Sequence, residues 1–204
     1  MSALAILASS LLAVPVLDDG LHSRMLESYP ASAVAQKKSA ASLIRVVVDP
    51  SGKVERCETI GVAGDETLGA FPCTFVEHLR LNAPKAANGD PSFGVVETIM
   101  RFVARGTPQA AEALRAVQTP DVSVTIASLP GQAKGPIDLN VLVQVSETGD
   151  VTHCEAARED AAPYAAVICE TMRQRGWNRL ADNGGAPVAY VTRIRARFMT
   201  QPAG

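Results

Sequence analysis

The sequence predicts an α+β protein made of two ββαβ units, each a three-stranded antiparallel sheet packed on one helix. Three observations carry that prediction. One pattern occurs twice: Gly52, Val54 and Cys57 each lie 97 residues before Gly149, Val151 and Cys154. After a single slip, Cys73, Asn82, Gly89 and Phe102 lie 96 residues before Cys169, Asn178, Gly185 and Phe198, which marks a duplication. Each copy also runs in the same order, from an alternating apolar stretch through a turn and a second stretch to a helical stripe and a last alternating stretch. Finally, 47% hydrophobic and 20% charged residues describe an ordinary globular chain with a Val, Leu, Ile and Ala core, since aromatics are only 4%.

The elements follow in order. Residues 1–17 carry no charge and are broken only by Ser2, Ser9, Ser10 and Pro15. A spanning helix needs about 20 apolar residues, so the run fits the apolar region of a signal peptide better. Residues 1–20 are therefore read as a signal peptide or a short membrane anchor. The first copy, 29–104, opens on Tyr29 and Pro30. A strand from Ser42 through Val48 meets the turn Asp49, Pro50, Ser51, Gly52, where glycine is free to take positive φ. The chain returns in a second strand carrying Val54 and Cys57. Leu68, Phe71, Phe75, Val76 and Leu79 then lie on one helical face, with Pro72 expected to push the helix start later. Residues 95–103 form the last strand.

Between the copies, 105–120 reads as a helical linker, because Thr107 is an N-cap residue and Pro108 suits the first helical position. The second copy, 121–200, opens on Leu129 and Pro130. Ile137, Leu139, Val141, Val143 and Val145 alternate with Asp138, Asn140 and Gln144, the signature of a half-buried strand. Ser146 to Asp150 form its turn. Tyr164, Val167, Ile168, Thr171 and Met172 mark its helix, and 188–199 its last strand.

Four cysteines allow three connectivities. The duplication favours bridges within each copy, Cys57 with Cys73 and Cys154 with Cys169, because each copy then joins its second strand to its helix. Such bridges imply an oxidising compartment and agree with an export signal. The alternative is four buried thiols, a state cysteine tolerates well. No Cys-x-x-Cys pattern points to zinc or redox chemistry.

A formal net charge of −2 excludes a dedicated nucleic-acid binder. The last strand of the second copy places Arg193, Arg195 and Arg197 on one face, with Arg173, Arg175 and Arg179 nearby. That strip suits an acidic peptide or an anionic envelope polymer. It equally suits an edge strand whose charges discourage aggregation. Trp177 takes the place of Leu81 in the repeat and reads as a core-edge residue. His22, His78 and His153 have no partner at a catalytic spacing, and no phosphate loop or metal motif occurs. No enzyme activity, metal or cofactor is expected.

Each copy resembles the C-terminal domain of TonB-type energy transducers, and the cysteine pairs resemble a cysteine-paired subgroup of these domains. In the first copy the resemblance rests on Tyr29 and Pro30, on the run from Asp49 to Val54, on the helix, and on Met100, Arg101 and Phe102. In the second it rests on the run from Val145 to Val151, on the helix leading into Arg175, Gly176 and Trp177, and on the run from Arg195 to Phe198. The resemblance implies a periplasmic module that binds extended segments of outer-membrane transporters by adding a strand to a sheet edge, in the service of energy transduction or transport. It implies docking on the two last strands, at Val95, Glu97, Ile99 and Arg101 in the first copy and at Val191, Arg193, Arg195 and Arg197 in the second. The short apolar start implies a soluble or short-tethered relative, at most anchored in the inner membrane. The competing expectation is a structural envelope scaffold or a strand-paired homodimer that touches no transporter.

Overall fold

The computed structural model describes residues 11–17, 19–104, 106–127 and 136–200. Met1 to Ser10 of the apolar run, and the Leu129 and Pro130 pair, lie outside the described residues.

The helices are α1 (Asp19–Glu27), α2 (Ala31–Ala35), α3 (Glu66–Val76), α4 (Pro108–Arg115) and α5 (Ala162–Arg175). The strands are β1 (Ala40–Val48), β2 (Val54–Gly64), β3 (Phe93–Phe102), β4 (Val122–Ile126), β5 (Ile137–Val145), β6 (Val151–Ala156), β7 (Leu180–Ala181), β8 (Pro187–Val188) and β9 (Tyr190–Thr200). The chain is thus α+β, but the strands do not form two separate three-stranded sheets. One seven-stranded mixed sheet runs β2-β1-β3-β9-β5-β6, with β4 also paired to β9. The two copies fuse through their last strands, which run parallel with Phe93, Gly94 and Val95 opposite Tyr190, Val191 and Thr192. Further along, β9 takes β4 as its neighbour, from Val122 opposite Ala196 to Ile126 opposite Thr200. β4 was not expected, because five residues between a helix and a loop carry too short a pattern to announce a strand.

Parallel pairing of equivalent strands amounts to half a turn about an axis along the strands, which also turns the second copy over. The cores record this. Ile44, Val46, Val48, Met100 and Phe102 pack with Leu68, Cys73 and Val76 of α3. Val47 and Val95, on the alternate positions, pack instead with Ala165, Ile168 and Met172 of α5. Successive strand residues point to opposite faces, so α3 and α5 lie on opposite faces of one sheet.

Both disulfides lie within a copy, Cys57–Cys73 with Cα atoms 5.3 Å apart and Cys154–Cys169 with Cα atoms 5.5 Å apart. Each closes a loop of 16 or 15 residues. A loop of that size contributes about 3 kcal/mol in the chain-entropy account. The two hairpin turns also close alike. Leu81 donates its N–H to the carbonyl of Gly52, and Trp177 to that of Gly149. A Cβ on Gly52 would stand 2.4 Å from the Leu81 carbonyl oxygen, and one on Gly149 would stand 2.7 Å from that of Trp177. Both glycines have φ near +90°, so only glycine satisfies the turn and the close approach together.

Pro72 lies inside α3 and does not delay its start. The Asp65 carboxylate accepts the Leu68 N–H at 2.9 Å and pairs with Lys38 at 3.0 Å, anchoring the first turn. The Ser42 hydroxyl donates to the Gly69 carbonyl at 2.6 Å and ties that turn to β1. Leu79 falls past the helix end. A helix runs over Pro108–Arg115, with the Thr107 hydroxyl accepting the Ala110 N–H.

Candidate functional site

Of the predicted docking strands, β9 is paired on both sides within the chain, and β3 is paired on both sides only at Gly94 and Val95. β9 bonds to β5 along one side, while on the other it bonds first to β3 and then to β4. Where β3 leaves and β4 arrives, Asp121 fills the interval. Its N–H donates to the Arg195 carbonyl at 2.8 Å, and its carboxylate accepts the Arg195 N–H at 2.7 Å. β3 bonds to β1 from Gly94 to Phe102 and to β9 at Phe93–Val95, so Glu97, Ile99 and Arg101 have a strand neighbour on the β1 side only. Strand addition at Val95, Val191, Arg193, Arg195 and Arg197 would therefore require breaking the sheet. Sequence pattern named these strands correctly but could not say that they are each other's neighbours.

Their side chains are engaged as well. Arg197 grips Asp138 with two hydrogen bonds of 2.6 and 2.8 Å, which hold the Asp138 carboxyl below the usual carboxylate range. Arg195 reaches Asp121 at 2.8 Å and Glu97 at 3.5 Å. Burial pushes the Asp121 carboxyl up, opposed by this arginine and reinforced by Glu97. Arg101 donates to the carbonyls of Ala113 and Ala116, placing its charge at the end of α4 where the helix dipole favours a cation. Ile99 stands opposite Leu43 of β1 and is half-buried. Val191 is fully buried and belongs to a small cluster with Leu12 and Val14. Only Arg193 of the arginine strip remains exposed and without a carboxylate partner among the described residues. The outermost strands of the sheet are β2 and β6, and the sequence reading assigned no role to either outer edge.

The cluster around Val191 belongs to a segment that the sequence reading gave to export. Residues 11–17 run extended against the body of the protein. Ala13 and Lys85 exchange hydrogen bonds of 3.0 and 2.9 Å, and Leu11 donates to Ala87 at 3.1 Å. Asn82 acts as a backbone clamp: its amide nitrogen donates to the Val14 carbonyl at 2.8 Å, and its amide oxygen accepts the Val16 N–H at 2.8 Å. Leu12 and Val14 are buried against Val191, Ala87 and Leu142. Gly94 makes room for Pro15, since a Cβ there would lie 2.6 Å from two atoms of that ring. This strap is held mainly through its backbone.

A second groove lies on the other face of the sheet, between the first copy's strands and the segment that follows α5. It encloses about 380 Å³, within the range of a small ligand site. Arg45, Val47, Val95, Asn178, Ala181 and Tyr190 form its floor and one wall. Arg56, Arg179 and Arg193 stand around it with Glu58, Glu97 and Asp121. Arg45 is satisfied by Glu97 at 2.8 Å and lies 3.8 Å from Glu58. Among the described residues Arg56 and Arg179 reach carbonyl oxygens alone, those of Ala181 at 3.4 Å and Thr148 at 2.9 Å. The Tyr190 hydroxyl donates to the Asn178 carbonyl at 2.6 Å, and burial pushes its ionisation well up. Such a groove can bind and orient a polar chain. Among the described residues no three His, Cys, Asp or Glu side chains are gathered to hold a metal ion. The sequence reading missed Arg56, Asn82, Asn178 and Tyr190, although Asn82 and Asn178 were already visible as repeat partners.

Among the described residues no helix is long and apolar enough to cross a membrane, and the two disulfides are compatible with export to an oxidising compartment. Compared with known proteins, the chain matches no family model, no curated protein and no solved structure.

Proposed function

We propose that this protein is an exported interaction module, of the TonB C-terminal kind, that holds extended peptide segments of envelope proteins such as outer-membrane transporters. One observation carries the reading: the fold already holds an extended segment, 11–17, through main-chain hydrogen bonds and the Asn82 clamp. Main-chain recognition is the economical way to bind an extended peptide, with side-chain pockets adding selectivity. The two internal disulfides support work in an oxidising compartment such as the periplasm. The duplicated strand, strand, helix, strand order supports the two ββαβ units on which the resemblance rests.

The test is a titration of the oxidised chain with extended N-terminal segments of outer-membrane transporters from the same cell, followed by backbone amide NMR. Saturable shifts on a contiguous set of residues are expected. A folded sample that shows no shift at millimolar peptide removes the reading. A strand-paired homodimer is favoured by one feature, the outer edge of β6, which has no strand neighbour among the described residues. A concentration-dependent doubling of mass, lost on placing proline at Thr152, would select that alternative.

A further inference from the structure

The groove on the second face is the repeat equivalent of the groove that holds the strap. In the repeat register, Asn178 answers to Asn82, Ala181 to Lys85 and Val95 to Val191. Arg45 answers to Leu142, Val47 to Gln144 and Tyr190 to Gly94. The first-named residue of each pair lines the open groove. The second-named residues surround the strap: Asn82 clamps it, Lys85 pairs with it, Leu142 and Val191 pack on it, Gly94 admits its proline, and Gln144 accepts the N–H of Ala87 behind it. The half-turn that joins the copies makes two such grooves, one on each face.

Their chemistry differs. Arg45 stands where Leu142 packs on the strap, and Arg56 and Arg179 add two exposed charges without carboxylate partners among the described residues. Tyr190 replaces Gly94, so a segment there must lie over the tyrosine rather than bury a proline beside the backbone.

We infer that this second groove is a binding site for an extended, acidic peptide segment of a partner protein, held as the strap is held in the first. The Ala181 carbonyl, now approached by Arg56, takes the place of the Lys85 carbonyl that accepts the strap's Ala13 N–H. Acidic side chains of the segment pair with Arg56, Arg179 and Arg193. This rests on the reading of the protein as a module for extended segments, and it names the site and the ligand's charge.

Trp177 lines the groove and is the single tryptophan of the chain, so its emission is a probe placed at this site. The experiment selects heptapeptides from a random displayed library on the full oxidised chain, then titrates the enriched peptides against it. Enriched peptides should carry Asp and Glu and shift the Trp177 emission. They should bind about tenfold or more weakly to the Arg56→Glu/Arg179→Glu variant, while the control Arg173→Glu on α5 keeps full affinity. Both altered arginines are exposed, so the variant should keep the parent circular dichroism spectrum. Peptides that bind without moving Trp177, and equally well to the double variant, overturn the groove but leave the extended-segment reading standing. Enrichment of no peptide at all overturns both.

Discussion

The segments that precede the two copies have taken opposite courses. In the first, residues 11–17 stay extended and lie in a groove against the sheet. Ahead of the second copy, Pro108–Arg115 instead forms α4, which contacts β1, β2 and β3 of the first copy. Local chemistry explains the divergence. Val14, Pro15 and Val16 combine two β-branched residues with a proline that would interrupt a helix. Thr107 and Pro108 instead supply a cap and a first turn, followed by Gln109, Ala110, Ala111, Glu112 and Ala113. A fold with two equivalent grooves thereby fills one from its own chain and keeps the other open along its polar rim. Duplication supplied the geometry, and a short stretch of helix formers decided the use.

Removing either bridge tests whether the copies contribute equally to stability. Cys57→Ala/Cys73→Ala and Cys154→Ala/Cys169→Ala should each lower unfolding free energy by about 3 kcal/mol in guanidinium denaturation. A much smaller loss for one pair would show that its copy is held chiefly by the shared sheet. Filling the strap groove is the next lever. Gly94→Val should cost about 1–3 kcal/mol through overpacking and should abolish amide-exchange protection at Leu11 and Ala13. Retained protection there would mean that Pro15 can move aside.

The two clamps should respond unequally. Asn82→Ala removes two hydrogen bonds to the strap and should cost about 1–2 kcal/mol. Asn178→Ala touches an exposed side chain and should change thermal stability by no more than about 0.5 kcal/mol, while weakening the peptides selected above. Equal costs at the two positions would break the asymmetry between the two grooves.

The smallest effect is one of pH. The N–H of Leu68, and after it Lys38, hold the Asp65 carboxyl below its ordinary 3.8. A carboxyl lowered in the folded state binds fewer protons there than when unfolded. Its contribution is therefore present above about pH 4 and is lost as pH falls through the lowered folded value. Asp65→Asn should flatten the acid limb of stability against pH, and an unchanged limb would deny the cap this role.

Much was legible in the chain because it depends on near neighbours. The period-two runs at Ile137 to Val145, the turn glycines Gly52 and Gly149, the Thr107 cap and the cysteine pairing all follow from local chemistry repeated in register. Pro72 was misjudged because the Asp65 cap and the Ser42 bond to Gly69 outweigh one missing N–H, and both act across positions that a helical wheel does not join. The docking strip was misplaced for a related reason. An alternating strand of arginines reads the same at a sheet edge and beside β4 and Asp121.

By itself, then, the sequence determined the duplication, the order of strands and helix in each copy, and the covalent closure of each hairpin onto its helix. Only the tertiary structure decided that the last strands meet in parallel, and hence that the helices lie on opposite faces, that β9 is internal, and that two equivalent grooves exist. Strand patterns specify which face of a strand is apolar, whereas the choice of neighbour along the hydrogen-bonding edge belongs to the backbone, which is the same in every residue but proline.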